Sequence, residues 1–412
     1  MRTHWRARAV ESDRVCIIRQ SDVYELSLRR EAEALRDAGY DVDVVIMREH
    51  GRRPTTVVAG VTVRSLPVSR RKGGKLRYLV DYIGFLVVAG AVVGASHLRR
   101  PYRAVQVNTM PDLLVLAGLI PKLFGAKLLV FMKEPVPELG ETLFGDGPAV
   151  RAMRRAERLA LRLADQTFTV TEELKQRYVD VGGRAEDITV VLNCPAAANL
   201  LSDRAAPRHE ADRFTVVCHG SIEDRYGYDT ILRAAAIARD VVPGLQVVIP
   251  GRGSWLEPML DMVGALGLGD VVRYEGWVTQ ERLADLLASA DAGIVAQKAS
   301  PYAHLVFTNK MVDYWVFGLP VIASRLRAVA NCFDDSVLEY FHPGDPDDLA
   351  ARIVRLHREP ERRDELARNG RRAEAEHGWA VQRARFLGVY ATSAALVSAP
   401  RRREGSRRRS VR

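Results

Sequence analysis

The sequence predicts an α/β protein of two doubly wound domains that face each other across a cleft. Short apolar runs typical of strands alternate with helical stretches, which indicates parallel sheets covered on both faces. The alternation stops once, in an Ala-, Pro- and polar-rich stretch at 193–213, and then starts again. The 412 residues are enough for two cores, and an apolar content of 47% excludes a disordered chain.

The first domain is predicted over 14–195, after a basic tail at 1–13. Its first strand, RVCIIRQ, is followed by a helix with apolar residues at Leu26, Leu28 and Leu35 and a stop at Gly39. The remaining strands are predicted at 41–47, 104–108, 127–132, 166–170 and 188–193, and further helices at 111–125 and 150–164.

The second domain is predicted over 213–378, after a linker at 196–212. A C-terminal helix at 379–397 is expected to cross back to the first domain, and the Arg-rich tail at 398–412 is expected to be disordered. The strands are predicted at 214–220, 245–251, 271–276, 292–297 and 320–324, and the helices at 228–239, 256–266, 281–290, 310–318 and 359–377.

The net charge of +10 lies mainly in the two tails. The last twelve residues hold seven Arg and one Glu, and the first twelve hold three Arg and one Glu, so the middle of the chain carries only +2. This distribution argues against a nucleic-acid partner. The four cysteines have no metal-ligand spacing and the N-terminus has no apolar signal region, which together predict a cytoplasmic protein.

One apolar helix, predicted at 79–98, is almost long enough to span a membrane. Asp81 and His97 interrupt it, and its many Gly and Ala residues favour a helix that is buried or lies at an interface. Peripheral contact with anionic lipid at the inner face of the cytoplasmic membrane is predicted, with a purely buried helix as the alternative. The basic residues that support contact with lipid are Arg64, Arg70, Arg71, Lys72, Lys75 and Arg77.

The most informative motif is TNKMVDYWVFGLPVIAS, at 308–324. Lys310 and Asp313 are three residues apart, which places them on one face near the N-terminus of a helix. The free amides and positive dipole end of a helix suit a phosphate, and Asp313 can accept hydrogen bonds from ribose hydroxyls. By spacing alone, an ordinary surface ion pair is the stronger interpretation.

A second motif, VCHGSIEDRYG at 217–227, leads from a strand into a helix. Gly220 allows the backbone to approach a ligand closely, and Arg225 can donate several hydrogen bonds to a diphosphate. Alone, the pattern also fits a polar loop with a solvated arginine.

In their order and spacing the two motifs resemble the retaining nucleotide-sugar glycosyltransferases of family 4, the glycogen-synthase-like group. The resemblance extends over about 14–390 and implies two Rossmann-like domains of GT-B type, the first on the acceptor side and the second binding the donor. The residues that carry it are His219-Gly220-Ser221, Arg225-Tyr226-Gly227, Thr308-Asn309-Lys310, Asp313-Tyr314 and Gly318-Leu319-Pro320-Val321.

The resemblance implies sugar transfer from a UDP- or GDP-sugar to a polysaccharide, lipid-linked or other glycan acceptor, with retention of configuration and without metal or cofactor. Arg225 and Lys310 would be the catalytic charges. Lys133, Glu134 and Glu138 would lie on the acceptor side, with an ordinary surface loop as the alternative for these three residues. The implied donor-binding residues are Gly220, Ser221, Arg225, Gly251, Thr308, Asn309, Lys310 and Asp313.

Several positions depart from the family pattern and bear on sugar identity and rate. The first of two paired acids is replaced by Leu305, the second is Asp313 instead of Glu, and Lys133-Glu134 stands where the family has His-Asp. A nucleotide-sugar epimerase of related fold is one alternative, and a catalytically weakened, membrane-associated partner protein is another. A dehydrogenase is disfavoured, because no GxGxxG follows the first strand.

Overall fold

The computed structural model describes residues 12–21, 24–48, 54–68, 75–194 and 212–398. The predicted tails at 1–13 and 398–412 and the predicted linker at 196–212 lie almost wholly outside these residues. The described chain forms two α/β units, each built on one sheet, as the alternation of strands and helices predicts.

The first unit is built on an eight-stranded sheet. Its strands are β1 (Arg14–Arg19), β2 (Asp41–Met47), β3 (Thr55–Val58), β4 (Val61–Leu66), β5 (Ala104–Asn108), β6 (Lys127–Phe131), β7 (Gln166–Thr169) and β8 (Ile188–Val190). Their order is β3-β4-β2-β1-β5-β6-β7-β8, and only the hairpin β3–β4 is antiparallel. The helices are α1 (Leu26–Asp37), α2 (Lys75–Arg99), α3 (Leu119–Leu123), α4 (Val136–Phe144), α5 (Pro148–Leu163) and α6 (Glu172–Asp180).

The helix predicted at 111–125 takes a different form. A 3₁₀ helix covers Asp112–Gly118 and only Leu119–Leu123 is α-helical. The physical reason is Pro121, which has no amide to donate to the carbonyl of Ala117 and is tolerated only in the first turn of a new helix.

The second unit is built on a wholly parallel sheet. Its strands are β9 (Phe214–Val217), β10 (Gly220–Ser221), β11 (Leu245–Arg252), β12 (Val272–Gly276), β13 (Ala292–Val295), β14 (Val321–Ser324) and β15 (Glu339–Phe341). The main path is β12-β11-β9-β13-β14-β15, and the short β10 pairs with the end of β11. The helices are α7 (Tyr228–Ala238), α8 (Leu256–Ala265), α9 (Gln280–Ala288), α10 (Asn309–Val316), α11 (Arg327–Ala330), α12 (Pro346–Arg358), α13 (Pro360–His377) and α14 (Trp379–Ser398).

The last helix, α14, returns to the first unit. Phe386 and Tyr390 are buried in the core of the first sheet, and the Phe386 ring lies 5.1 Å from that of Phe168. The Tyr390 hydroxyl donates a 2.7 Å hydrogen bond to Gln106, and the Leu192 amide donates one of 3.0 Å to Gln382. The predicted crossover is therefore present, and α14 fixes the two units to each other.

The long apolar helix α2 has two different faces. One face, with Phe85, Ala89 and Val93, is fully buried against the first sheet. Among the described residues, α2 contains the one segment, Val80–Arg99, with the length and hydropathy of a membrane span, and a third of that segment is buried inside the protein. The opposite face leaves large apolar side chains in solvent, namely Val80, Ile83, Val87 and Leu98.

Candidate active site

A cavity of about 280 Å³ lies between the two units. Lys133, Glu134, Val170 and Asn193 line it from the first unit, and the loops that follow β9 and β13 and the start of α10 line it from the second. Parallel sheets place the carboxyl ends of their strands on one edge, which is why loops distant in sequence meet here.

Glycine 220 is required by the packing of this cavity. Its φ is 110°, and a Cβ there would lie 2.9 Å from the Lys310 Cε atom. Gly251 stands directly behind it, and a Cβ on Gly251 would lie 1.9 Å from the Gly220 carbonyl oxygen. A side chain at Gly220 would therefore be strained by this φ and would crowd the Lys310 side chain, and one at Gly251 would displace the backbone that borders the cavity.

The N-terminus of α10 opens onto the cavity. Thr308, Asn309 and Lys310 all line it, and the Thr308 side chain makes no capping hydrogen bond. The Asn309 Oδ1 atom is buried without a hydrogen-bond partner, and the Lys310 ammonium lies 4.2 Å from the centre of the Tyr226 ring. Backbone amides, the positive end of the helix dipole and the half-buried Lys310 cation thus face the same space, which suits an anion.

Burial changes the charge state of the groups around Lys310. It lowers the pKa of Lys310, and it raises the pKa of Asp313 to about 7. His219 is neutral, because burial lowers its pKa to about 3. Its Nε2 atom lies 3.5 Å from Asp313 and forms no hydrogen bond with any residue that the structure describes. Lys310 and Asp313 are thus half-buried groups that line a cavity, unlike an exposed surface pair.

Three of the predicted donor residues lie next to the cavity without lining it. Arg225 is half-buried on a 3₁₀ turn, with its guanidinium 4.9 Å from the centre of the Tyr226 ring and a buried Nε atom that has no hydrogen-bond partner. Ser221 is exposed, and its carbonyl accepts a hydrogen bond from Tyr228. Gly251 lies behind Gly220.

Of the predicted acceptor-side residues, Lys133 and Glu134 line the cavity and Glu138 does not. The Lys133 ammonium forms a buried 2.6 Å ion pair with Glu31, and burial lowers the pKa of Lys133. Glu138 is directed away, because it forms a 2.7 Å ion pair with Arg177 on α6. Glu134 accepts a 2.5 Å hydrogen bond from the hydroxyl of Tyr302, which belongs to the second unit.

Leu305, where the family has its first acid, does not line the cavity. Its side chain is buried in the core of the first unit, and its carbonyl accepts a 2.5 Å hydrogen bond from Thr171. Position 305 therefore requires an apolar residue, because its side chain packs in the core of the first unit. Glu134 and Asp313 are the carboxylates that line the cavity within the described part of the chain.

Some cavity residues were not predicted as site residues. His219 and Tyr226 belong to the motif at 217–227, and Gln297 is the second residue after β13. Their positions in a motif and at the end of a strand therefore could have marked them as site residues. Tyr302 and Phe307 lie in a loop without any pattern that marks a site. Among the described residues, no group of three or more His, Cys, Asp or Glu side chains is placed to hold a metal ion.

Comparisons with known families agree with this architecture. Residues 24–194 match the glycosyl transferase 4-like domain, and residues 201–373 match the glycosyl transferases group 1 family. The D-inositol 3-phosphate glycosyltransferase of Nocardiopsis dassonvillei is 29% identical over 265 residues, which is 60% of each chain. The MMP alpha-(1->4)-mannosyltransferase of Mycolicibacterium hassiacum is 30% identical over 179 residues, which is 42% of this chain and 41% of that one. The matched region thus spans less than two thirds of these relatives.

Solved structures match over nearly the whole chain. Sucrose-phosphate synthase from Thermosynechococcus elongatus has a TM-score of 0.76 at 18% identity, covering 93% of this chain and 99% of that one. Anabaena HepE in complex with UDP-glucose has a TM-score of 0.69 at 16% identity, covering 92% and 99%. These likenesses establish the GT-B fold. With the two family matches end to end along the sequence, this chain belongs to the family 4-like, group 1 glycosyltransferases.

Proposed function

We propose that the protein transfers a sugar from a nucleotide-diphosphate donor to an acceptor hydroxyl, with retention at the anomeric carbon. The observation that carries the proposal is the half-buried Lys310 at the N-terminus of α10, facing a cavity between the two units. A cation beside the free amides of a helix N-terminus suits a diphosphate. In this proposal the second unit, over 213–378, holds the donor and the first, over 14–195, presents the acceptor.

The proposed chemistry is electrostatic. Lys310 and Arg225 stabilise the negative charge that develops on the departing diphosphate, and Asn309 donates a further hydrogen bond through its side-chain amide. Asp313 accepts hydrogen bonds from ribose hydroxyls. The acceptor hydroxyl attacks from the side on which the diphosphate leaves, and its proton passes to the leaving phosphate, so the configuration is retained.

The relatives suggest which donors and acceptors should be tested first. The fold relative HepE is in complex with UDP-glucose, and a sequence relative is named for a mannosyl transfer. UDP- and GDP-sugars are therefore the proposed donors. The proposed acceptors are polysaccharide, lipid-linked or other glycans, and the name of the Nocardiopsis relative adds inositol 3-phosphate to the compounds to test.

Donor binding can be measured before any acceptor is known. A ligand that binds only the folded state raises the melting temperature, so a panel of UDP- and GDP-sugars should produce a selective rise for one of them. No rise with any nucleotide or nucleotide sugar would contradict the proposed donor site. Incubation with the donor alone separates transfer from epimerisation, since an epimerase converts the donor without an acceptor.

We also propose peripheral contact with an anionic membrane, through the exposed face of α2. The apolar residues Val80, Ile83, Val87 and Leu98 recur at helical spacing on that face. Helix α3 packs against α2 at Gly94 and ends in two more exposed apolar residues, Leu123 and Phe124.

Charge complementarity selects lipid as the occupant of this face. Five cations and no acid occur in the sequence at 70–77, directly before the exposed face, and each can contribute about 1 kcal/mol near anionic lipid. Arg64, which the sequence analysis counted with them, is instead on β4, 3.7 Å from Asp43.

A further inference from the structure

The loop between β13 and α10 reaches from the second unit to the first. Tyr302 donates a 2.5 Å hydrogen bond to the Glu134 carboxylate, and Leu305, three residues later, is anchored in the core of the first unit. Both residues are almost fully buried. The loop therefore holds the Tyr302 side chain in place. A side chain fixed in this way can hold the Glu134 carboxylate in one position, which a transient surface contact could not do.

Among the described residues, the Glu134 carboxylate accepts no side-chain hydrogen bond from its own unit, where the Tyr178 hydroxyl donates instead to the main-chain carbonyl of Glu134 at 3.5 Å. The charged groups that act on it are Arg225 in the second unit and Lys133 and Arg19 in the first. Burial raises the pKa of Glu134, and the Tyr302 hydroxyl, Arg225, Lys133 and Arg19 act in the opposite direction. Lys133 is itself paired with Glu31, so Tyr302 is the direct neutral donor to the Glu134 carboxylate.

We propose that Tyr302 is a positioning residue that holds the Glu134 carboxylate in the cavity, where Glu134 orients the acceptor hydroxyl for transfer. The inference rests on the proposed sugar transfer. Glu134 would then supply, from the opposite unit, a carboxylate in a cavity where Leu305 supplies none. Because the contact joins the two units, Glu134 is held in position only while the units are packed together.

The test compares Tyr302→Phe with the control Tyr340→Phe. The Tyr340 hydroxyl is also buried, and it donates to the Phe333 carbonyl in the second unit, away from the cavity. With Tyr302→Phe we expect kcat to fall by about 10- to 100-fold with the donor KM unchanged, because a misplaced orienting group affects the chemical step. We expect Tyr340→Phe to keep wild-type kinetics. A raised donor KM with unchanged kcat would place Tyr302 at the donor and overturn the inference.

Two further readouts exclude a merely structural effect. The acidic limb of the kcat profile should move to higher pH in Tyr302→Phe, because a hydrogen bond that favours the carboxylate is lost. In a Glu134→Gln background, Tyr302→Phe should change kcat by less than about 2-fold, since the two residues act as one unit. Full, independent effects of both substitutions would contradict the inference.

A spectroscopic measurement separates this inference from the proposed function. In protein labelled at the glutamate side-chain carboxyl carbon, the Glu134 resonance is identified by its loss in Glu134→Gln. Its titration midpoint should rise in Tyr302→Phe and remain unchanged in Tyr340→Phe, whether or not any sugar is transferred. An unchanged midpoint in Tyr302→Phe overturns the positioning role, while a wild-type protein that transfers no sugar overturns the proposed function alone.

Discussion

Asp313 has a charge that the cavity disfavours. Burial raises its pKa to about 7, well above the value of about 3.9 in an unfolded chain. Between these two values the folded state binds a proton that the unfolded state does not, so stability falls as the pH rises from about 4 to 7. Asp313→Asn removes this pH-dependent loss of folding stability, because the amide carries no charge at any of these pH values. We expect the ligand-free variant to melt higher than the wild type at pH 8, and to differ less at pH 5.

The same substitution should weaken nucleotide binding. In the proposed donor site an amide would replace the carboxylate that accepts hydrogen bonds from ribose, which would cost about 1–3 kcal/mol, or roughly 5- to 150-fold in the dissociation constant of UDP or GDP. Greater stability together with weaker binding is not produced by misfolding. The exposed Asp240→Asn is the control and should change neither quantity. Equal melting shifts at both pH values, or unchanged affinity for the nucleotide, would contradict this account of Asp313.

Lys310 and Arg225 should matter for turnover more than for folding. Lys310→Met keeps most of the buried volume and removes the charge, and Arg225→Ala removes the second cation. Each should reduce kcat by about 10²-fold or more, as for other single groups that stabilise a transition-state charge. Arg273→Ala, on β12 and outside the cavity, is the matched control. Full activity of both variants at normal melting temperatures would place the donor elsewhere.

At the scale of single elements, α2 provides the sharpest test of membrane contact. Flotation with anionic vesicles should be strong at low salt and weak at high salt, and neutral vesicles should not bind. Val87→Glu places a charge on the exposed face and should abolish flotation. Ile237→Glu, at an exposed apolar position of α7 in the second unit, should not. Binding that resists high salt and carbonate would mean a true span, and absence of binding at low salt would end the proposal.

Most elements could be predicted from the sequence because their hydrophobic patterns are local. The runs at β1, β2, β5 and β11 are buried on both faces and read as strands without any knowledge of their partners. The hairpin β3–β4 was not predicted, since the four residues of its edge strand alternate between exposed and half-buried. The three-residue strand β15 is too short to show a pattern, whereas the helix α12 is not in the prediction although Asp345 and Pro346 at its start are ordinary helix-start signals.

The site could be predicted only as far as its motifs extend. Gly220, Lys310 and Asp313 lie in motifs with a fixed spacing, and the structure places them together at one cavity. Tyr302 and Glu134 are 168 positions apart, and no local pattern links them. Their contact depends on how the two units sit together, which the α14 crossover helps to determine.

At the scale of the whole molecule, the proposed mechanism stabilises charge without a metal. The N-terminus of α10 and Lys310 border the cavity and Arg225 lies beside it, so all three would place positive charge near the departing diphosphate. We therefore expect EDTA to leave transfer largely unchanged. Loss of activity in EDTA, with recovery on addition of Mg²⁺ or Mn²⁺, would show that the protein's own cations are not sufficient.

The measurement that tests the central claim most directly follows a labelled sugar from its nucleotide to an acceptor. Wild type and Lys310→Met are incubated in EDTA with the UDP- or GDP-sugar that stabilises the wild type most, and with an extract of glycan and lipid acceptors. We predict that the wild type moves the label into an acceptor with retained anomeric configuration, and that Lys310→Met does so about 10²-fold more slowly. Conversion of the donor without any labelled acceptor, or equal rates for both proteins, would contradict the account.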